Sequence, residues 1–145
     1  MEMMTRKEEE LVKDAEQMAR ELAPGEHARV IALMGDLGAG KTTFAKAFAA
    51  SLGVDEHVTS PTFVIEKRYL LHDQKFSHLI HIDAYRLKDA DELKKLDWQR
   101  TVSDPKNIIL IEWADRVSEL IPHDAVRISL AYLDEETRTI TYDNK

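Results

Sequence analysis

Cysteine is absent from all 145 residues, which excludes disulfides and thiolate-held metal sites. Long apolar runs are absent too. None approaches the roughly 20 residues that cross a bilayer, so no membrane association is expected. The stretch MEMMTRKEEE has no apolar core of the signal-peptide kind, and a cytoplasmic location is the simplest expectation. Positive charge is the minority sign: 20 Lys and Arg stand against 27 Asp and Glu, for a formal charge of −7. No Lys/Arg block appears. Independent nucleic-acid binders usually carry a basic face, so DNA is not an expected partner, and the acidic excess reads as solubility. Glycine is sparse as well, at five residues, which makes its placement informative.

What is present has the size of one domain spanning residues 1–145. A hydrophobic fraction of 43% supports a real core, and 32% charged residues solvate the surface. KEEELVKDAEQMAREL, residues 7–22, sets Leu11, Ala15, Met18 and Leu22 at helical spacing. ARVIALM, residues 28–34, is a short apolar run suited to a strand covered on both faces. A helix is expected over 42–52, closed by Gly53. Further strands are expected at 63–71, at 78–82 running into Asp83, and at 107–111 running into Glu112, with a short helix over 89–96. Val126, Ile128, Leu130 and Tyr132 alternate, and the acidic turn 134–136 leads to TRTITY, so the end of the chain reads as an antiparallel hairpin. The fold class expected is α/β, with a mostly parallel central sheet, helices on both faces and that C-terminal hairpin.

Three of the five glycines fall in GDLGAGKTT, residues 35–43. Gly35 to Thr42 fit G-x-x-x-x-G-K-[ST]. Glycine permits backbone angles that let successive N–H groups point inward as an anion nest. The helix that follows adds its positive end. Lys41 can reach β- and γ-phosphates, and the Thr42 hydroxyl can ligand Mg²⁺. Chance gives this spacing at about 4 × 10⁻⁵ per start from average usage, and the strand before and helix after make chance rarer still. The motif is therefore read as a phosphate-binding P-loop.

A P-loop needs an acid near its cation, and two strands end in one: HLIHID in Asp83 and NIILIE in Glu112. Either can approach the metal from the carboxyl end of its strand. His78 and His81 lie three apart on one strand, hence on opposite faces, and are read as strand-boundary residues rather than joint ligands. VTSPTF, residues 58–63, lies one helix after the P-loop, where a nucleotide-sensing loop often sits. No guanine-reading NKxD and no D-x-x-G occurs, which argues against a Ras-like GTPase. A small-molecule kinase has little room for an acceptor pocket and lid. A nucleotide-gated scaffold without catalysis stays open, and an ATP-driven switch acting on a partner fits the size best.

GDLGAGKTTF, SPTF, HIDAYRL and IEW follow one another in that order, and together they resemble the TsaE (YjeE) family, small bacterial P-loop ATPases of tRNA threonylcarbamoyladenosine synthesis. The likeness covers roughly residues 30 to 140. It implies a P-loop NTPase fold that binds ATP and Mg²⁺. It implies nucleotide contacts at Asp36, Leu37, Gly38, Ala39, Gly40, Lys41, Thr42 and Thr43, with Thr62 of the SPTF switch, Asp83 and Trp113. Lys41, Asp83 and Glu112 would be catalytic, and Thr42, Glu112 and Asp83 would serve the metal. It also implies work with TsaD and TsaB homologues, whose complex transfers threonylcarbamoyl to adenosine 37 of tRNA, so that tRNA is met through that complex. Hydrolysis would reset the complex between rounds. Arg86 and Arg116 are candidate internal cations for the transition state, and Arg138 resembles an arginine of the family's closing strand. TRKEEEL departs from the family's usual helix start, and IEWADRV lacks the proline often found after the tryptophan.

Overall fold

Apolar side chains on both faces of a short run call for a covered strand, and the structure, a computed structural model describing residues 2–35, 39–54 and 66–143, supplies the cover. β1 (Glu2–Lys7) leads directly into α1 (Glu8–Glu21). β2 (Arg29–Gly35) and α2 (Lys41–Ser51) follow. Then come β3 (Glu66–Leu70), β4 (His78–Asp83), α3 (Ala90–Lys94) and α4 (Trp98–Ser103). β5 (Asn107–Glu112), β6 (Val126–Tyr132) and β7 (Thr137–Asp143) complete the set, with short 3₁₀ segments at Ala84–Arg86 and Ala114–Leu120.

The seven strands form one sheet in the order β1-β7-β6-β2-β5-β4-β3. The pairs β6–β2, β2–β5 and β5–β4 are parallel, whereas β1–β7, β7–β6 and β4–β3 are antiparallel. The sheet is therefore mixed, which corrects the expectation of a mostly parallel one. The reason lies in the connections. Only seven residues separate β3 from β4, and four separate β6 from β7. A parallel crossover needs a dozen or more. The C-terminal hairpin is as expected. β1 was not anticipated: MEMMTRK has no clean alternation, and its strand form rests on pairing with β7, from Glu2 opposite Tyr142 to Lys7 opposite Thr137.

Helices do cover both faces. Ile31, Leu33, Leu79, Ile108 and Leu110 pack with α1 and α2, through Leu11, Ala15, Ala19, Phe44 and Phe48. Val30, Ala32, Ile80, Ile82, Ile109 and Ile111 pack on the other side with Leu93 of α3, Trp98 of α4 and Val117. The strict alternation explains why β2, β4 and β5 read as unbroken apolar runs. α1 begins where Glu10 accepts a 3.0 Å hydrogen bond from the Lys7 N–H. Glu8, Glu9 and Glu10 fill its first turn and Arg20 its last, the signs that its dipole favours. Α1 and α2 pack side by side on one face, so the start of α2 lies against the start of α1.

Candidate active site

Two glycines set the backbone at the carboxyl end of β2. Gly35 has φ 142° and pairs with Leu130 of β6. A Cβ there would collide with the Leu130 carbonyl oxygen. Gly40 has φ 102°, in the left-handed region, and immediately precedes α2. A Cβ there would come within 2.9 Å of a Leu11 methyl group. Both positions thus demand glycine for conformation and for space. α2 is then anchored by Phe44, Ala45, Phe48 and Ala49, all buried. Asp36, Leu37, Gly38 and Thr62, with the whole VTSPTF stretch, lie outside the described residues.

Lys41 opens α2 and is only 6% exposed. Its Nζ donates to the Gly35 carbonyl and stands 3.7 Å from the centroid of the Trp113 ring. A buried ammonium demands such partners, because desolvation otherwise disfavours its charge. Trp113 directly follows Glu112 and has φ 59°, an uncommon angle for a bulky residue. Its ring also meets Tyr85 at 5.0 Å between centroids, and Arg116 lies 4.9 Å over the far ring of Tyr85. Lys41, Trp113, Tyr85 and Arg116 thus form a continuous chain of contacts from the start of α2 to the exposed Tyr85. Within α2 and just before it, Ala39 is buried, Thr43 half-buried and Thr42 exposed.

Asp83 and Glu112 are register partners at the ends of β4 and β5, and Leu33 of β2 is Glu112's partner on the other side. Partners in a parallel sheet share a face, so both acids lie on the α2 face with Leu33. Their surroundings differ. Asp83 is half-buried, and its Oδ1 accepts a 3.0 Å hydrogen bond from the Tyr85 N–H. Burial pushes its carboxyl above the ordinary value, the Tyr85 N–H pulls back, and the charge of Glu112 raises it further. Glu112 is 2% exposed, and its Oε2 lies 2.6 Å from Nε2 of His81. His81 is therefore not a strand-boundary residue: it is 1% exposed, inside β4. The signal was available, since His81 and Asp83 are two apart on a strand and share a face. His78, at the start of β4, is half-buried.

Thr42, Asp83 and Glu112 offer hard oxygen donors, the kind that Mg²⁺ takes. Among the described residues no three His, Asp or Glu side chains form a ready metal cage. A set of one hydroxyl and one or two carboxylates suits a cation that brings phosphate and water ligands with it. Arg86 is exposed on the 3₁₀ turn after β4, and Arg116 reaches the Leu87 carbonyl at 3.4 Å.

A cleft of about 440 Å³ opens beside Gly40 and Thr43, walled by Lys7, Leu11, Glu135 and Arg138. The sequence singled out Arg138 but could not place it or the N-terminal residues here, because the wall is assembled from the β1–α1 junction and the β6–β7 turn. Arg138 holds its place there by donating to the carbonyls of Asp134 and Thr137 at 2.7 and 2.9 Å, and it stacks 4.8 Å over Tyr132.

The comparisons with known proteins agree with one another. A family model described as "Threonylcarbamoyl adenosine biosynthesis protein TsaE" matches residues 5–140. A Bacillus subtilis protein named "tRNA threonylcarbamoyladenosine biosynthesis protein TsaE" is 39% identical over 113 residues, covering 78% of this chain and 68% of the relative. The Rickettsia bellii protein of the same name is 32% identical over 141 residues, covering 95% of this chain and 91% of the relative. The crystal structure of Bacillus subtilis YdiB superposes with a TM-score of 0.70 at 30% identity, covering 97% of this chain and 84% of that one.

Proposed function

The chain belongs to the TsaE family, and on that premise we propose that it is a Mg²⁺-dependent, cytoplasmic P-loop ATPase serving threonylcarbamoyladenosine formation at position 37 of tRNA. The observation that carries the reading is the placement of Lys41. Its ammonium waits at the amino end of α2 against Trp113, one residue past the Glu112 carboxylate, with Asp83 on the neighbouring strand.

In this reading Lys41 exchanges the Gly35 carbonyl and the indole for the β- and γ-phosphates of ATP. The N–H groups of Gly40, Lys41 and Thr42 at the helix start donate to phosphate oxygens, since the first N–H groups of a helix have no partner within it. The cleft walled by Lys7, Leu11 and Arg138 lies beside Gly40 and Thr43 and takes the base and ribose. Thr42, Glu112 and Asp83 are the residues that would hold the Mg²⁺, which when bound would neutralise charge on the phosphate oxygens.

Hydrolysis is slow in the chain by itself, because phosphoryl transfer wants a cation on the developing charge and an arginine finger supplies 10³–10⁵ in rate. Arg116 is engaged with Leu87 and Tyr85 instead. TsaD and TsaB homologues complete the site, and tRNA is met through them. The test is phosphate release by the chain alone, by TsaD–TsaB alone and by the mixture, with modified tRNA scored in parallel. Slow turnover alone and stimulation in the mixture are expected. Fast turnover indifferent to the complex, with modification unaffected by omitting this chain, would return a small-molecule kinase to first place.

A further inference from the structure

β4 carries an imidazole at a position where an apolar residue would fit its neighbours better. His81 stands between Ile80 and Ile82, is 1% exposed, and is the register partner of Leu110. Among the described residues it makes one directed contact, from Nε2 to Oε2 of Glu112 at 2.6 Å. A carboxylate oxygen accepts, so the proton of this bond is carried by Nε2. Nδ1 has no hydrogen-bond partner among the described residues. The ring therefore leaves one nitrogen unsatisfied in order to serve the carboxylate. A role in stability alone is a poor account of that arrangement. Buried polar pairs are commonly no more stabilising than apolar residues of similar volume, and Leu or Ile would fill the strand without an orphaned nitrogen.

We propose that His81 is a positioning residue for Glu112. Its Nε2–H holds Oε2 and so fixes the plane of the carboxylate that Glu112 would turn toward a divalent cation. This rests on the metal role proposed above for Glu112. Carboxylates that ligate metals are themselves held by hydrogen bonds from outside the ligand set, and loss of such a bond typically weakens metal affinity 10- to 100-fold.

The experiment measures Mn²⁺ affinity in the ADP complex by electron paramagnetic resonance, and ADP affinity in EDTA by calorimetry. Four variants are compared with the parent chain: His81→Leu, His81→Gln, His81→Asn and Glu112→Ala. The amide nitrogen of Gln falls near the place of Nε2, whereas that of Asn falls near Nδ1. Expected are a roughly tenfold or greater loss of Mn²⁺ affinity in His81→Leu and His81→Asn, substantial recovery in His81→Gln, and ADP affinity in EDTA within about twofold throughout. If His81→Leu fails to fold, the contrast between Gln and Asn carries the test. Equal Mn²⁺ affinity in the Gln and Asn variants overturns the proposal, as do parallel losses with and without the cation. If Glu112→Ala weakens Mn²⁺ binding and no His81 variant does, only the role of His81 falls. If Glu112→Ala binds Mn²⁺ like the parent chain, the metal role of Glu112 falls first and takes this proposal with it.

Discussion

The parallel strands β4, β5 and β2 and the flank of β6, β7 and β1 belong to one sheet but treat polar residues differently. In the parallel centre both faces are covered, and the charged carboxylates Asp83 and Glu112 stand at strand ends. In the flank, polar residues run along the strands: Thr5, Arg6 and Lys7 of β1 pair with Thr139, Arg138 and Thr137 of β7, and Ser129 and Tyr132 of β6 are exposed. Crossovers force the first pattern, because helices lie on both faces; hairpins permit the second, with one face solvated. The division teaches where each kind of function belongs. The covered centre concentrates charge at one edge in a sheltered place, and the flank supplies a shaped wall beside it.

The largest effect should come from breaking the seam between the two regions. Gly35 of β2 packs on the Leu130 carbonyl of β6. Gly35→Ala forces a side chain against backbone at a positive φ, and a loss of more than about 3 kcal/mol is expected. Thermal denaturation reads it, as a fall in Tm of about 10 °C for a chain of this size. A Tm within about 2 °C of the parent would show that the seam gives way freely. Next in size is Lys41→Ala, which acts on the centre alone. Loss of a charge-assisted contact worth about 1.5–3 kcal/mol lowers ATP affinity roughly 10- to 100-fold by calorimetry. Unchanged affinity would remove the P-loop reading.

Arg138→Ala asks what the flank adds. Its side chain walls the cleft, so ADP affinity should fall by about threefold to tenfold, the worth of roughly one hydrogen bond, and equally with and without Mg²⁺. A loss confined to Mg²⁺ conditions would place Arg138 with the centre instead. In a Trp98→Phe background the remaining indole is Trp113, and its emission should shift when ATP draws Lys41 away from the ring. An unchanged spectrum at saturation would show that the lysine stays where it is.

The smallest effect concerns pH. The Thr137 hydroxyl beside Asp134 and the backbone N–H groups of Glu136 and Thr137 hold its carboxyl below the ordinary value of 3.8. A depressed folded value adds stability above the unfolded value, and that stability is lost as pH falls through the folded one. Asp134→Asn should therefore lower Tm slightly near neutral pH, with the difference closing as the medium is acidified below that range. A constant difference across pH would mean that the turn depends on shape rather than on charge.

Much of this was legible from the chain alone. Unbroken apolar runs at 28–34, 78–82 and 107–111 identified β2, β4 and β5, because a strand covered on both faces shows no polar interruption. Alternation at 126–132 and the acidic turn identified the β6–β7 hairpin. The glycine spacing marked the loop, since only glycine suits the backbone at Gly35 and Gly40. Local sequence carries such information because it is spent within a few residues of where it is read. β1 was hidden, for its strand form depends on β7, some 130 residues away in the chain. The cleft was hidden for the same reason, with Lys7 and Arg138 meeting across it from opposite ends of the chain. His81 shows the limit most sharply. Its place on β4 could be counted from Asp83, but its bond to Glu112 required β4 and β5 to pair in register. Sequence by itself determined the covered strands, the C-terminal hairpin and the two acids at strand ends. Only the tertiary structure decided that one acid is sealed against an imidazole while the other caps a half-exposed turn, because burial and partner are properties of the neighbouring strand and of the layer above it.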